Sequence, residues 1–156
     1  MPIESNDESA PSAKPQFGET PASPQGEKRR ILLAEDNDTN MMVTNDFLEA
    51  HGYQVITAVN GVDAIKAAQS YKPDLILMDI QMPGMNGLEA IKRLRKISGF
   101  ESVPIIALTA LAMPNDRERC IEAGMDEYIS KPVNLRGLVK LIQNYLSLRE
   151  EKTQPR

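Results

Sequence analysis

From Arg29-Arg30 onward the chain alternates short apolar runs with longer stretches in which apolar residues recur every three or four positions. Ile31-Leu32-Leu33-Ala34 is the first run, too short for a helix and ended by Glu35-Asp36-Asn37-Asp38, so it predicts a buried strand. Val43, Phe47, Leu48 and Ala50 then fall on one helical face, and Gly52 stands where a left-handed cap belongs. A strand over Gln54 to Ala58 leads through Asn60-Gly61 into a helix with Ala64, Ile65 and Ala68 facing inward. Pro73-Asp74 stops that helix ahead of the run Leu75-Ile76-Leu77-Met78-Asp79. Pro83, Gly84 and Gly87 form a loop, Leu88, Ile91 and Leu94 form the next helical stripe, and Pro104 precedes a strand from Ile105 to Thr109. Pro114 suits the first turn of a fourth helix ending at Gly124, followed by a short strand from Glu127 to Ser130. Asn134 is placed to cap a last helix with the stripe Leu135, Leu138, Val139, Ile142, Tyr145 and Leu146.

Strands rich in Ile, Leu and Val, each followed by a helix, predict an α/β fold. Parallel strands need long crossovers and a cover on both faces, which gives a doubly wound, five-stranded parallel sheet. In such sheets the functional crevice lies beyond the carboxyl ends of the strands, so the residues there are the candidates for chemistry.

Composition narrows the classes. The 156 residues suffice for one well-buried core. Residues 1–28, rich in Pro, Ser, Glu and Gln, read as a disordered tail or linker, residues 29–148 as the domain, and residues 149–156 as a charged, flexible C-terminal tail. A formal charge of -4 argues against direct nucleic-acid binding. The single Cys120 makes no internal disulfide, and with the lone His51 it matches no familiar zinc spacing, so a cytoplasmic location fits. Neither a signal peptide nor a membrane span is expected, because no apolar run approaches the required length.

The strand ends carry Glu35 and Asp36 after the first strand, Asp79 after the third, Thr109 after the fourth and Lys131 after the fifth. Carboxylates brought together in one crevice repel, and burial sharpens the repulsion, so a cation is needed. All-oxygen ligands select a hard metal, and Mg2+ suits a few carboxylates that leave room for water and phosphate oxygens. Phosphoryl transfer follows as the chemistry. Asp79 is the nucleophile by position, while Thr109 and Lys131 would hold the remaining phosphoryl oxygens.

Four stretches, Glu35-Asp36-Asn37, Met78-Asp79 through Gly87, Leu108-Thr109-Ala110 and Ser130-Lys131-Pro132, resemble the motifs of the receiver domain of two-component response regulators. The resemblance spans Arg30 to Leu146. It implies a flavodoxin-like (βα)5 fold with strand order 2-1-3-4-5. It further implies that Asp36 holds Mg2+ directly and Glu35 mainly through water, that the backbone carbonyl of Gln81 completes the metal site, and that Lys131-Pro132 is a cis bond. Tyr128 matches the family's aromatic switch position. The implied partners are a histidine kinase or phosphotransfer protein as donor, and a downstream protein reading the fourth helix, last strand and last helix. Glu at 35, where the family more commonly has Asp, keeps the charge and lengthens the reach.

Blander readings exist for each residue. Asp79 alone is a turn acid before Pro83-Gly84, Thr109 a β-branched strand residue, Lys131 a solvated amine and Tyr128 a plain strand aromatic. Asp38 and Thr39 are read as helix-capping residues, His51 as a helix C-terminal residue with no phosphorelay role, and Cys120 as core packing. A rival, an Asp-nucleophile phosphatase resembling the haloacid dehalogenase family, needs a second acid where Gln81 stands. Another is an interaction module independent of phosphorylation. Either as a stand-alone regulator or as a receiver segment of a hybrid kinase, the chain would deliver its output through a partner. Gln81 and Leu111 border the path expected for attacking water.

Overall fold

The computed structural model describes residues 28–110 and 114–153. The tail assigned to residues 1–28, apart from Lys28, lies outside the described residues, as does Leu111. Ten elements alternate: β1 (Arg30–Ala34), α1 (Asp38–Ala50), β2 (Gln54–Ala58), α2 (Gly61–Tyr71), β3 (Leu75–Asp79), α3 (Gly87–Arg95), β4 (Ile105–Thr109), α4 (Pro114–Ala123), β5 (Glu127–Ser130) and α5 (Leu135–Thr153). All strand pairs are parallel and the sheet order is β2-β1-β3-β4-β5, the 2-1-3-4-5 order that the resemblance implies. The last helix runs to Thr153, past the Leu148 boundary expected for the domain.

Strand periodicity divides the core into two layers. Leu32, Ile76, Ile105 and Ala107 face one side and pack with Ala64 and Ala68 of α2, Ile91 and Leu94 of α3, and Cys120 of α4. Ile31, Leu33, Leu75, Leu77, Ile106 and Leu108 face the other side and pack with Leu48 of α1 and Leu138, Val139 and Ile142 of α5. Both faces being covered explains why β3 and β4 are buried at every position and read as unbroken apolar runs.

Local chemistry fixes the helix ends. The Oδ1 atoms of Asn37, Asn60, Asn86 and Asn134 accept from the backbone N–H three residues on, at 2.9, 2.8, 3.0 and 2.9 Å. The cap of α1 is therefore Asn37 rather than Asp38 or Thr39, while Asp38 stands in the first turn, where its charge suits the helix dipole. Gly52 holds a left-handed φ of 91° after α1. The expected inward face of α1 is corrected as well: Leu48 is buried and Phe47 half-buried, but Val43 is 50% exposed and Ala50 is also exposed. The residues of α1 that pack in the core layer are Met41, Phe47 and Leu48, and Val43 turns outward.

At the amino-terminal end of the sheet, Arg95 ties two loops together, the one between α3 and β4 and the one between α4 and β5. Its guanidinium donates to the carbonyls of Gly124, Phe100 and Val103 at 2.8, 2.8 and 2.7 Å and to Asp126 at 2.8 Å. The same Asp126 oxygen accepts from Ile105 N–H at 2.9 Å, so the start of β4 hangs on this ion pair. Arg95→Met keeps the stem and takes a donor from three carbonyls and the cation from the Asp126 carboxylate, which keeps only the Ile105 N–H. A loss of about 3 kcal/mol is expected in urea unfolding, and a loss below about 0.5 kcal/mol would refute the clamp.

Candidate functional site

Register explains which strand-end residues meet. Ala34 pairs with Met78, so the next residues, Glu35 and Asp79, stand side by side. Both continue the parity of Ile31, Leu33, Leu75 and Leu77, which face α1 and α5. Lys131 continues the parity of Ile129 on that same face. Lys131 Nζ donates to Asp79 Oδ2 at 2.8 Å and to Glu35 Oε1 and Oε2 at 3.1 and 3.3 Å. Glu35 and Asp79 are 3% and 1% exposed, so this ion pair is shielded from water. Asp36 is exposed, and one carboxylate oxygen from each of Glu35, Asp36 and Asp79 lies within 4.8 Å of the other two.

Thr109 ends β4 with the opposite parity, that of Ile105 and Ala107, and is 1% exposed. It lines a cavity of about 200 Å³ with Gln81, Leu88 and Cys120. Its carbonyl accepts from Lys131 N–H at 2.7 Å, which fixes the backbone that carries the lysine. The Lys131-Pro132 peptide is cis. Tyr128 pairs with Ala107 and packs half-buried against the α2, α3 and α4 layer. Gln81 N–H donates to Asp79 Oδ1 at 2.9 Å and Asn37 N–H to Glu35 Oε2 at 3.2 Å, so each buried carboxylate holds a backbone donor besides the ammonium.

Charge in the pocket is unbalanced. Three carboxylates face one ammonium, and burial, followed by the charge of Asp79, holds the Glu35 carboxyl above its ordinary range despite the hydrogen bond from Lys131. Burial by itself would lower the Lys131 ammonium, but its bonds to Asp79 and Glu35 and their charges outweigh that and leave it raised. A clustered set of oxygen donors with excess negative charge is suited to a hard divalent cation.

One residue essential to this geometry reads in the sequence only as a loop glycine. A Cβ on Gly87 would stand 2.2 Å from the Asp79 carbonyl oxygen and 2.8 Å from the Ile80 Cα. Gly87 N–H donates to the Ile80 carbonyl at 2.9 Å, so the start of α3 rests directly on the residue that ends β3. Arg95 carried no sequence signal at all, since an arginine among Lys92, Arg93 and Lys96 reads as part of a solvated face.

The sequence profile of the response regulator receiver domain matches residues 31–143, the span that holds every strand but Arg30 and all of the residues above. The chain belongs to the receiver domain family. It is 42% identical over 118 residues to the polar-differentiation response regulator DivK of Brucella anthropi, covering 76% of this chain and 96% of that protein. A CheY-like receiver domain protein from Methanospirillum hungatei superposes with a TM-score of 0.76 at 29% identity, over 81% of this chain and 99% of that one. The receiver domain of a sensor histidine kinase from Pseudomonas aeruginosa superposes with a TM-score of 0.73 at 37% identity, over 78% of this chain and 99% of that one. That Pseudomonas structure has a magnesium ion coordinated in its active-site cleft. The receiver domain described here is thus a signalling domain of two-component systems, a family that works with histidine kinases and phosphotransfer proteins and binds a divalent metal in an acidic pocket. Among the described residues no helix is long and apolar enough to cross a membrane.

Two outcomes are expected. Gly87→Ala forces backbone apart beside Asp79, and a loss of about 2 kcal/mol in chemical denaturation is expected; an unchanged midpoint would show that α3 can move aside freely. Glu35 binds its proton more tightly folded than unfolded, so its contribution to stability is present below its unfolded value and lost as pH rises through the raised one. In EDTA, Glu35→Gln should therefore gain stability relative to the parent as pH climbs from about 4.5 towards neutrality. Thermal melts of both proteins across that range check it, and parallel pH curves would contradict it.

Proposed function

We propose that this receiver domain accepts a phosphoryl group on Asp79 in an Mg2+-dependent step and turns phosphorylation into a changed binding surface. The observation that carries the reading is the buried Asp79 carboxylate, 2.8 Å from the Lys131 ammonium and clustered with Glu35 and Asp36. Mg2+ is the metal that this donor set suits, and the Pseudomonas receiver with magnesium in its cleft supports the choice. Asp36, Asp79 and the Gln81 backbone carbonyl are its proposed ligands, with Glu35 acting through water; when bound, the ion would neutralise charge on the transferring oxygens.

In this reading an Asp79 oxygen attacks phosphorus while the bond from phosphorus to the donor's imidazole nitrogen breaks and its electron pair returns to the ring. The products are an aspartyl phosphate and a neutral histidine on the kinase or phosphotransfer partner. Lys131 would exchange its bond to Asp79 for one to a phosphoryl oxygen, and Thr109 would supply a hydroxyl from β4. Tyr128, half-buried on the neighbouring strand, is the proposed switch that passes the change to the surface of α4, β5 and α5 for a downstream protein. A cytoplasmic setting suits the single, buried Cys120. A phosphatase of the haloacid dehalogenase kind is disfavoured, since Gln81 offers no general acid.

With a small phosphodonor and Mg2+, the parent protein should label stoichiometrically, Asp79→Asn should not label, and EDTA should abolish labelling of the parent. Acid- and base-labile label persisting in Asp79→Asn would move the acceptor elsewhere.

A further inference from the structure

The Gln81 side chain reaches from its own loop to the carboxyl end of β4. Gln81 follows β3, and its Oε1 accepts from the backbone N–H of Ala110, the first residue after β4, at 3.3 Å. This bond joins two loops that are 29 residues apart in sequence. It also stands between two cavities. Ala110 lines one of about 470 Å³ together with Glu35 and Lys131, whereas Gln81 and Thr109 line the other, of about 200 Å³. The main chain of Gln81 is held in place from below, because its N–H donates to Asp79 Oδ1 at 2.9 Å. The side chain is therefore free to swing about an anchored backbone, and Gln81 as a whole is exposed.

Ala110 N–H is a backbone donor directly after Thr109, at the strand end where a negatively charged phosphoryl group on Asp79 would sit. A neutral amide oxygen at 3.3 Å is at the long, weak end of hydrogen bonding, and a charged phosphoryl oxygen is a stronger acceptor. We infer that Gln81 is a positioning residue that occupies the Ala110 donor in the unphosphorylated state, and that an arriving phosphoryl group must displace it. This rests on Asp79 being the acceptor and adds a competitor that sets how readily the phosphorylated state forms. The bond to Gln81 gives the Ala110 amide an alternative partner at rest, so the equilibrium between the two states carries the cost of one hydrogen bond.

Gln81→Met separates bonding from bulk, since the side chain keeps its length and loses its strong acceptor. The probe is beryllofluoride with Mg2+, a phosphoryl mimic, titrated against backbone amide resonances of the parent and the variant. Removing a competing hydrogen bond should tighten beryllofluoride binding about two- to tenfold. In the ligand-free variant the Ala110 amide proton should move upfield and exchange with solvent faster. An unchanged or weaker affinity, or an Ala110 resonance that ignores the substitution, would overturn this role of Gln81 while leaving the Asp79 reading intact. Failure of the parent itself to bind beryllofluoride would overturn both.

Discussion

Lys131 holds two buried carboxylates at once, and the pocket exists on that condition. Glu35 and Asp79 stand side by side because β1 and β3 are adjacent and in register, so their mutual repulsion is built into the sheet rather than into a flexible loop. An exposed pair of acids would be screened by water, but at 3% and 1% exposure these two depend on the ammonium and on one backbone donor each. One cation does not neutralise three acids. The residual charge is what makes the pocket receptive to a divalent ion.

The two ends of the sheet are built differently. At the amino-terminal end Arg95 saturates three carbonyls and a carboxylate, and Asp126 in turn holds the first N–H of β4. At the carboxyl end the Lys131 ammonium joins β1, β3 and the segment after β5, and the loop after β3 also reaches Ala110 through the 3.3 Å contact to Gln81. β4 is thus anchored at its start by the Arg95–Asp126 pair and at its finish by the bond from Lys131 N–H to the Thr109 carbonyl. The half-buried Tyr128 lies on the next strand, paired with Ala107.

Strand parity sorts the strand-end residues into two groups. Glu35, Asp79 and Lys131 belong to the face covered by α1 and α5, whereas Thr109 belongs to the face covered by α2, α3 and α4, beside Cys120 and Leu88. Chemistry on one face is therefore one residue away from the packing layer of the other.

The sequence by itself determined the alternation of strands and helices, the parallel sheet and the positions of the acids, the threonine and the lysine at strand ends. These are consequences of local periodicity and of punctuation by Pro, Gly and Asn, and they need no knowledge of distant contacts. Residue type also pointed to a hard cation, since carboxylates at neighbouring ends have few other uses. Tertiary structure alone decided the rest. That Glu35 shares Lys131 with Asp79, that Gly87 must lack a side chain, that Val43 turns outward and that Arg95 closes the far end all depend on register and on the rotation of helices against the sheet. Such features are set by contacts between atoms as far as 96 residues apart or by a helix turning through a fraction of a turn, and a linear pattern of apolar and polar positions does not encode either.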